Sequence, residues 1–316
     1  MMELDIISYQ DLNDPANTSA TRMLKTALLQ KGIVGIKDVP GFLSKSQAYI
    51  NAARQFSALS DEIKQQYAPL RDTGETEGYE LGAEWFQGQD GVWRIDDKKS
   101  SFYACVPDAI KNKWPKEVDL KTPYLELGKL IFSTGKLLLN VMGLNEKLGL
   151  KHDEITGYGR MLHYHKESDA INENPNWCGA HLDHGIFTGL IPAYYYRDGI
   201  EVDEPKEAGL YIVPSNTTQF EKVSLSDKSV LLFQVGEFGQ LLSDDHIQAT
   251  QHTVRKAKGE IERYTFALFF SAGVNTKIKS HSKLIEDDRY KQHQSADGSI
   301  SYAEWEKASY ERYRAK

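Results

Sequence analysis

The sequence predicts a mainly β protein with flanking helices, its core a two-sheet jelly roll or sandwich. Three observations predict it. From Gly157 to Gly273 the chain is a series of short apolar runs separated by turn residues. Those runs alternate with period two, as strands with one buried face do. Before Gly157 the apolar spacing is mostly helical, and no regular strand–helix–strand alternation follows it, which argues against a parallel βαβ sheet. The expected organisation is an N-terminal helical and mixed region at 1–156, the β core at 157–273, and a C-terminal loop and helix at 274–316.

The elements follow in order. Residues 4–8 are a short apolar run suited to an edge strand. Ser19 is a candidate N-cap for a helix with Met23, Leu24, Ala27 and Leu28 on one side, stopped at Gly32. Residues 33–39 read as a strand and 46–59 as a helix, with Tyr49, Ala52, Phe56 and Leu59 on one face. Ser60 opens a third helix with acidic residues at its positive end. Residues 71–84 lack apolar periodicity and read as a loop, and 85–103 as irregular strands. Residues 122–142 form the longest amphipathic helix, closed by Gly143. The core strands are expected at 160–165, 180–184, 188–193, 209–213, 218–223, 229–235, 240–243, 249–254 and 263–272. Residues 276–300 read as a polar loop, and Ser301 caps a last helix with Tyr302, Trp305 and Ser309 on one face. The N-terminal helices are expected to brace one sheet of the core.

Composition bounds the function. The chain has 316 residues, 40% hydrophobic and 26% charged, with net charge -7 and pI about 5.8, the balance of a globular protein. No Lys/Arg cluster has the density of a nucleic-acid footprint. The apolar runs are too short to span a bilayer, and the N-terminal residues lack the basic and apolar regions of a signal peptide. The two cysteines, Cys105 and Cys178, read as reduced thiols of a cytoplasmic protein. The expected partner is a small-molecule substrate, with no nucleic acid and no membrane.

The candidate chemistry lies in the stretch Cys178-Gly-Ala-His181-Leu-Asp183-His-Gly-Ile-Phe-Thr188-Gly-Leu190. If this is one strand, alternation puts His181 and Asp183 side by side on one face. A second histidine, His252, lies in another strand-like run downstream. Two imidazoles and one carboxylate on one side of an ion leave the opposite positions open, the facial triad of non-haem Fe(II) oxygenases. Zinc is the natural competitor for such a set. Further on, Arg263 and Thr265 share a face of an apolar strand and offer a guanidinium and a hydroxyl to one carboxylate. His184 should point away from this face, and Cys178 reads as a small thiol beside it. His163-Tyr-His165-Lys-Glu167 is the other histidine pair. Its glutamate follows too closely for a cupin-type metal site, and one of the two imidazoles is expected to line the active site while the other faces out. Aromatic residues at Trp85, Phe86, Tyr194–Tyr196 and Trp305 could form a substrate wall but read more readily as core, and residues 197–206 read as an acidic loop placed to cover a pocket mouth.

The order His-x-Asp-x-Gly-x-x-Thr-x-Leu, then His-x-Val, then Arg-x-Thr, resembles the 2-oxoglutarate/Fe(II)-dependent dioxygenase superfamily, and within it the branch containing isopenicillin N synthase. The resemblance covers nearly the whole chain. Gly32-Ile-Val-Gly-Ile resembles the family's early Gly-aromatic strand, while Gly209-Leu210 and Val235-Gly236-Glu237 resemble its punctuation between core strands. The resemblance implies a double-stranded β-helix core, with Fe(II) held by His181, Asp183 and His252. It also implies 2-oxoglutarate as co-substrate, its distal carboxylate on Arg263 and Thr265, and O2 as oxidant. The implied reaction couples oxidative decarboxylation of 2-oxoglutarate to hydroxylation, desaturation or cyclisation of a small organic substrate. Tyr164 matches a family tyrosine that bonds the co-substrate's C1 carboxylate. Around it the chain departs from the family: Leu162, His163 and His165 replace Asn, Tyr and Pro, and Thr265 replaces the usual Ser. Two alternatives stay open: a 2-oxoglutarate-independent oxidase of the isopenicillin N synthase type, and a non-catalytic metal-binding or sensor protein.

Overall fold

The computed structural model describes residues 2–82, 85–87, 93–95, 97–147, 155–166 and 175–314. Its core is the predicted double-stranded β-helix: two facing sheets, open at the edges. Among the described residues the large sheet has ten strands and the small one four. The small sheet runs in the order Glu221–Lys222, Gly209–Ile212, His252–Arg255, Asn176–His181. At the centre of the large sheet, Ile261–Ser271 pairs antiparallel with both Thr156–Tyr164 and Phe187–Leu190. The sheet is extended by N-terminal strands. Lys99–Val106 pairs with Thr156–Tyr164, and Gly78–Leu81 pairs with Lys99–Val106. At the other end Ile33–Lys37 joins Leu231–Val235, and Ile6–Ser8 is the edge.

Strand alternation explains how one sheet serves two environments. Along Ile261–Ser271, Phe266, Leu268 and Phe270 are fully buried beneath helices. Arg263, Thr265, Ala267 and Phe269 face the interior between the sheets. Helices Phe42–Ser57 and Lys121–Met142 cover the first set. The rings of Tyr49 and Tyr124 meet Phe266 edge-on at 5.0 and 4.9 Å. Each side chain buried this way contributes about 1.5–3 kcal/mol. A one-residue slip of the strand would drive Arg263 into that apolar layer, so burial pins the register.

Several expected elements are corrected. The helix expected from Ser19 is Thr18–Gln30, capped by the Asn17 side chain on the Ala20 amide instead of by Ser19. The span 71–84 contains a short 3-10 turn, Arg71–Thr73, and the strand Gly78–Leu81. Residues 240–243 are not a strand, because Glu237–Leu242 is helical and buried. Residues 197–206 are not simply a loop, since Tyr194–Arg197 and Ile200–Val202 form a hairpin on the large sheet. The span 276–300 holds the strand Lys277–Ile278, a 3-10 turn and the helix Asp288–Lys291. The capping of the last helix, Tyr302–Arg314, is as expected: Ser301 Oγ accepts from the Glu304 amide.

Candidate metal centre and adjoining pocket

The three predicted ligands converge, but not by the route that alternation gives. The strand Asn176–His181 ends at His181, so Asp183 lies in the following turn. That turn is held by backbone hydrogen bonds. The amide of Glu237 donates to Asp183 O at 2.7 Å, and those of Gly236 and Phe238 donate to Ile186 O and Gly185 O, each at 3.0 Å. Gly236 permits this approach: a Cβ there would stand 2.2 Å from Gly185 O. His252 is the direct cross-strand partner of His181. Nε2 of His181 is 3.6 Å, and Nε2 of His252 4.0 Å, from Oδ1 of Asp183. One ligand atom from each residue lies within 4.8 Å of the others. Both separations to Oδ1 are no greater than twice a metal–ligand bond of about 2.0–2.2 Å, and the three ligand atoms together are close enough to hold a metal ion.

The outer atoms of the three residues are tied so that the inner ones face one point. Nδ1 of His181 lies 2.9 Å from Gly179 O, and Nδ1 of His252 lies 3.0 Å from Thr250 O. A carbonyl only accepts, so each ring in its neutral form carries the proton on Nδ1 and keeps a lone pair on Nε2. Gln234 Nε2 stands 2.6 Å from the same Nδ1; an NH2 only donates, so with the proton on Nδ1 the amide turns over and its oxygen accepts there. Thr188 Oγ1 donates to Oδ2 of Asp183 at 2.6 Å, leaving Oδ1 to the centre. Removing that donor with Thr188→Val should weaken metal binding by about tenfold, at the lower end of losses for outer-sphere partners. Metal titration of the purified variant reads it, and unchanged affinity would mean Asp183 needs no such support.

Electrostatics separates the two histidines. Burial pushes His252 down to about 4, aided by the neighbouring His181. Burial acts the same way on His181, but Cys178, Asp183 and the Gly179 carbonyl outweigh it and raise it to about 10. Burial raises Asp183, but the two imidazoles and Thr188 overcome it and hold the carboxyl below its ordinary range. At pH 7 His252 is therefore ready to ligate, whereas an ion must displace a proton from His181. Apparent affinity should rise with pH, by up to about tenfold per unit between pH 7 and 9. Calorimetric titration with Mn(II) across that range checks it. A flat profile would mean that His181 is already neutral.

From the candidate metal centre a pocket runs between the sheets. Its floor is Arg160, Leu162 and Tyr164 on one strand, and Arg263, Thr265, Ala267 and Phe269 on the next. Arg263 is buried, directly opposite Tyr164 and Tyr195 in the register. Its guanidinium lies 5.0 Å over the Tyr164 ring, and its Nε donates to Tyr195 Oη at 3.3 Å. Its Nη1 is buried with no partner among the described residues. A buried cationic donor without an acceptor is costly, and a ligand carboxylate at this end of the pocket would satisfy it. Thr265 shares the face, but its hydroxyl proton goes to Ile191 O at 3.0 Å. A hydroxyl has one proton, so Thr265 gives it to a ligand only by leaving Ile191.

The remaining candidates lie elsewhere. His163 and His165 stack on each other at 4.3 Å, away from the triad. His163 pairs with Glu262 at 3.0 Å and His165 with Ser100 at 3.0 Å. Glu167, and the side chains of Trp85 and Phe86, lie outside the described residues. His184 turns to the last helix, its ring 4.9 Å from Tyr310. Trp305 is not among the residues that line this pocket: its indole donates to His184 O at 2.9 Å and bears the Arg289 guanidinium on its face. Arg289 makes a buried two-pronged pair with Glu237, at 2.7 and 2.6 Å. It thereby ties the 276–300 segment to the helix that holds the Asp183 turn. Sequence reading missed this brace, and although it weighed Tyr194–Tyr196 as a substrate wall it missed the contact of Tyr195 with Arg263 and the part of Glu204 at that end. The Glu262-Arg263 and Tyr194–Tyr196 alternations offered a signal only for Tyr195.

No protein-family model and no curated protein matches the chain. Solved structures do. A full-length Neurospora crassa protein, solved with alpha-KG and thymine, superposes with a TM-score of 0.72 at 17% identity, over 97% of this chain and 96% of that one. A Caulobacter crescentus protein described as of the 2OG-Fe(II) oxygenase family gives 0.73 at 20% identity, over 98% of each chain. JOX2, solved with 2OG, Fe and JA, gives 0.70 at 16% identity, over 99% of this chain and 85% of that one. The chain has the fold of these proteins over 97–99% of its length.

Proposed function

We propose that the protein is an Fe(II)- and 2-oxoglutarate-dependent oxygenase acting on a small organic substrate. The fold is that of proteins solved with 2-oxoglutarate, in one case with iron as well. The observation that carries the reading to this chain is the pairing of two features in one pocket. A His/His/Asp set has its inner atoms turned to one point, and a buried guanidinium with an unpartnered Nη1 lies along the same pocket. The donor set suits a borderline divalent ion with open positions. The arginine suits the far end of a dicarboxylate chelated at that ion by its other end.

In this reading His181, Asp183 and His252 hold Fe(II), which when bound supplies O2 activation coupled to decarboxylation of the keto acid. The protein's own part is to place and to exclude. Arg263 fixes the co-substrate's length along the pocket. Tyr164 packs against the Arg263 guanidinium and offers its hydroxyl to the C1 end. Leu162, Ala267, Leu190 and Phe269 keep the space between the two ends apolar, so that water is kept from the reacting centre. Residues 157–273 carry the site, with 1–156 and 274–316 as its braces.

The test is O2 consumption by protein loaded anaerobically with Fe(II), with and without 2-oxoglutarate, alongside succinate release. Succinate formed in step with 2-oxoglutarate supports the reading. O2 uptake with an organic substrate but no 2-oxoglutarate requirement would replace it with the oxidase alternative, in which Arg263 takes a substrate carboxylate.

A further inference from the structure

Glu204 follows the hairpin on the large sheet, and its carboxylate lines the Arg263 end of the pocket. Its Oε2 accepts from Tyr195 Oη at 2.9 Å, and its Oε1 accepts from Lys222 Nζ at 2.8 Å. The Lys222 ammonium also donates to Pro205 O and Lys206 O at 2.9 and 3.1 Å, so the segment that carries Glu204 is fixed to the small sheet. Gly209 makes room for it: a Cβ there would stand 2.7 Å from Oε2. Tyr195 is fully buried.

Proton counting gives this chain one polarity. A carboxylate only accepts, so the single phenolic proton of Tyr195 goes to Glu204. Tyr195 then meets Arg263 with a lone pair and accepts from its Nε. The Nε edge of the guanidinium is thus tied off, and the Tyr164 ring lies against one face. The Nη side remains, with Nη1 still unpartnered among the described residues. We infer that Glu204 is a positioning residue for the co-substrate, acting through Tyr195 to fix the Arg263 guanidinium in the orientation that receives the distal carboxylate. The inference rests on the reading of Arg263 as the anchor for 2-oxoglutarate.

The test is calorimetric binding of two keto acids to the Mn(II)-loaded protein: 2-oxoglutarate, and pyruvate, which has no distal carboxylate. Tyr195→Phe and Glu204→Ala should each weaken 2-oxoglutarate about five- to tenfold and leave pyruvate within about twofold. Glu204→Gln keeps an acceptor for the Tyr195 proton and should stay within about twofold of wild type for both ligands. Because the chain is linear, Tyr195→Phe/Glu204→Ala should bind 2-oxoglutarate within about twofold of Tyr195→Phe alone. Multiplicative losses in the double variant would overturn the inference. So would equal weakening of pyruvate, which marks general damage to the pocket. Full 2-oxoglutarate affinity in Tyr195→Phe, with Arg263→Met still impaired, would remove the relay and leave the anchor. A wild type that binds both keto acids equally would end the anchor reading and the relay with it.

Discussion

Asp183→Ala should lower Fe(II) affinity and 2-oxoglutarate-dependent turnover by more than about 100-fold. The loss should exceed the roughly 10- to 100-fold range seen when only an outer-sphere partner is removed. Asp183 supplies the one anionic atom that faces both imidazoles, at 3.6 and 4.0 Å. Without it, two imidazoles remain, the buried His252 and the partly exposed His181, with no anionic atom between them to hold a divalent ion. His181→Ala and His252→Ala should act in the same direction through loss of a neutral donor. His184→Ala, at the next position, should keep its iron, because that ring faces Tyr310 on the last helix. Metal content after anaerobic reconstitution, measured beside thermal unfolding, separates ligand loss from misfolding. Equimolar iron in all three ligand variants would end the metal assignment. Loss of iron in His184→Ala would mean that the turn after His181 is in a different register.

Arg263→Met should weaken 2-oxoglutarate binding by about 2–5 kcal/mol, the range for truncating one partner of a buried charge pair. In KM this is roughly 30-fold or more. Metal binding should survive, since the guanidinium contacts Tyr164 and Tyr195 and none of the three ligands. The unliganded variant has a further signature. Arg263 is buried with an unpartnered Nη1, and an apolar side chain of similar length removes that cost. The metal-free variant should therefore melt no lower than wild type while failing to hold the co-substrate. Thr265→Ala should cost about 1 kcal/mol, chiefly through its bond to Ile191 O, and Thr265→Ser should be mild. The assay is succinate formation as 2-oxoglutarate is titrated. An unchanged KM in Arg263→Met would move the anchor to another residue.

The sequence by itself picked out the candidate ligands His181, Asp183 and His252 and the order in which they stand. It also determined the face assignment along 261–271. Period two is a local property, so Arg263 and Thr265 must leave the helix-covered face that Phe266, Leu268 and Phe270 occupy. The long helix at 121–142 and its end at Gly143 were legible for the same reason. Tertiary structure decided how the ligands meet. Asp183 reaches the centre from a turn, held there by amides of 236–238. The helix Glu237–Leu242 that supplies those amides looks like a strand in isolation, because burial on all sides erases its periodicity. Its brace, Arg289 on Glu237, joins positions 52 residues apart. The chain from Arg263 through Tyr195 to Glu204 likewise joins residues 68 and 9 positions apart. Such hydrogen bonds depend on which side chains the sheets bring face to face. No window of sequence contains both partners of the longer ones, so their pairing became visible only in the folded chain.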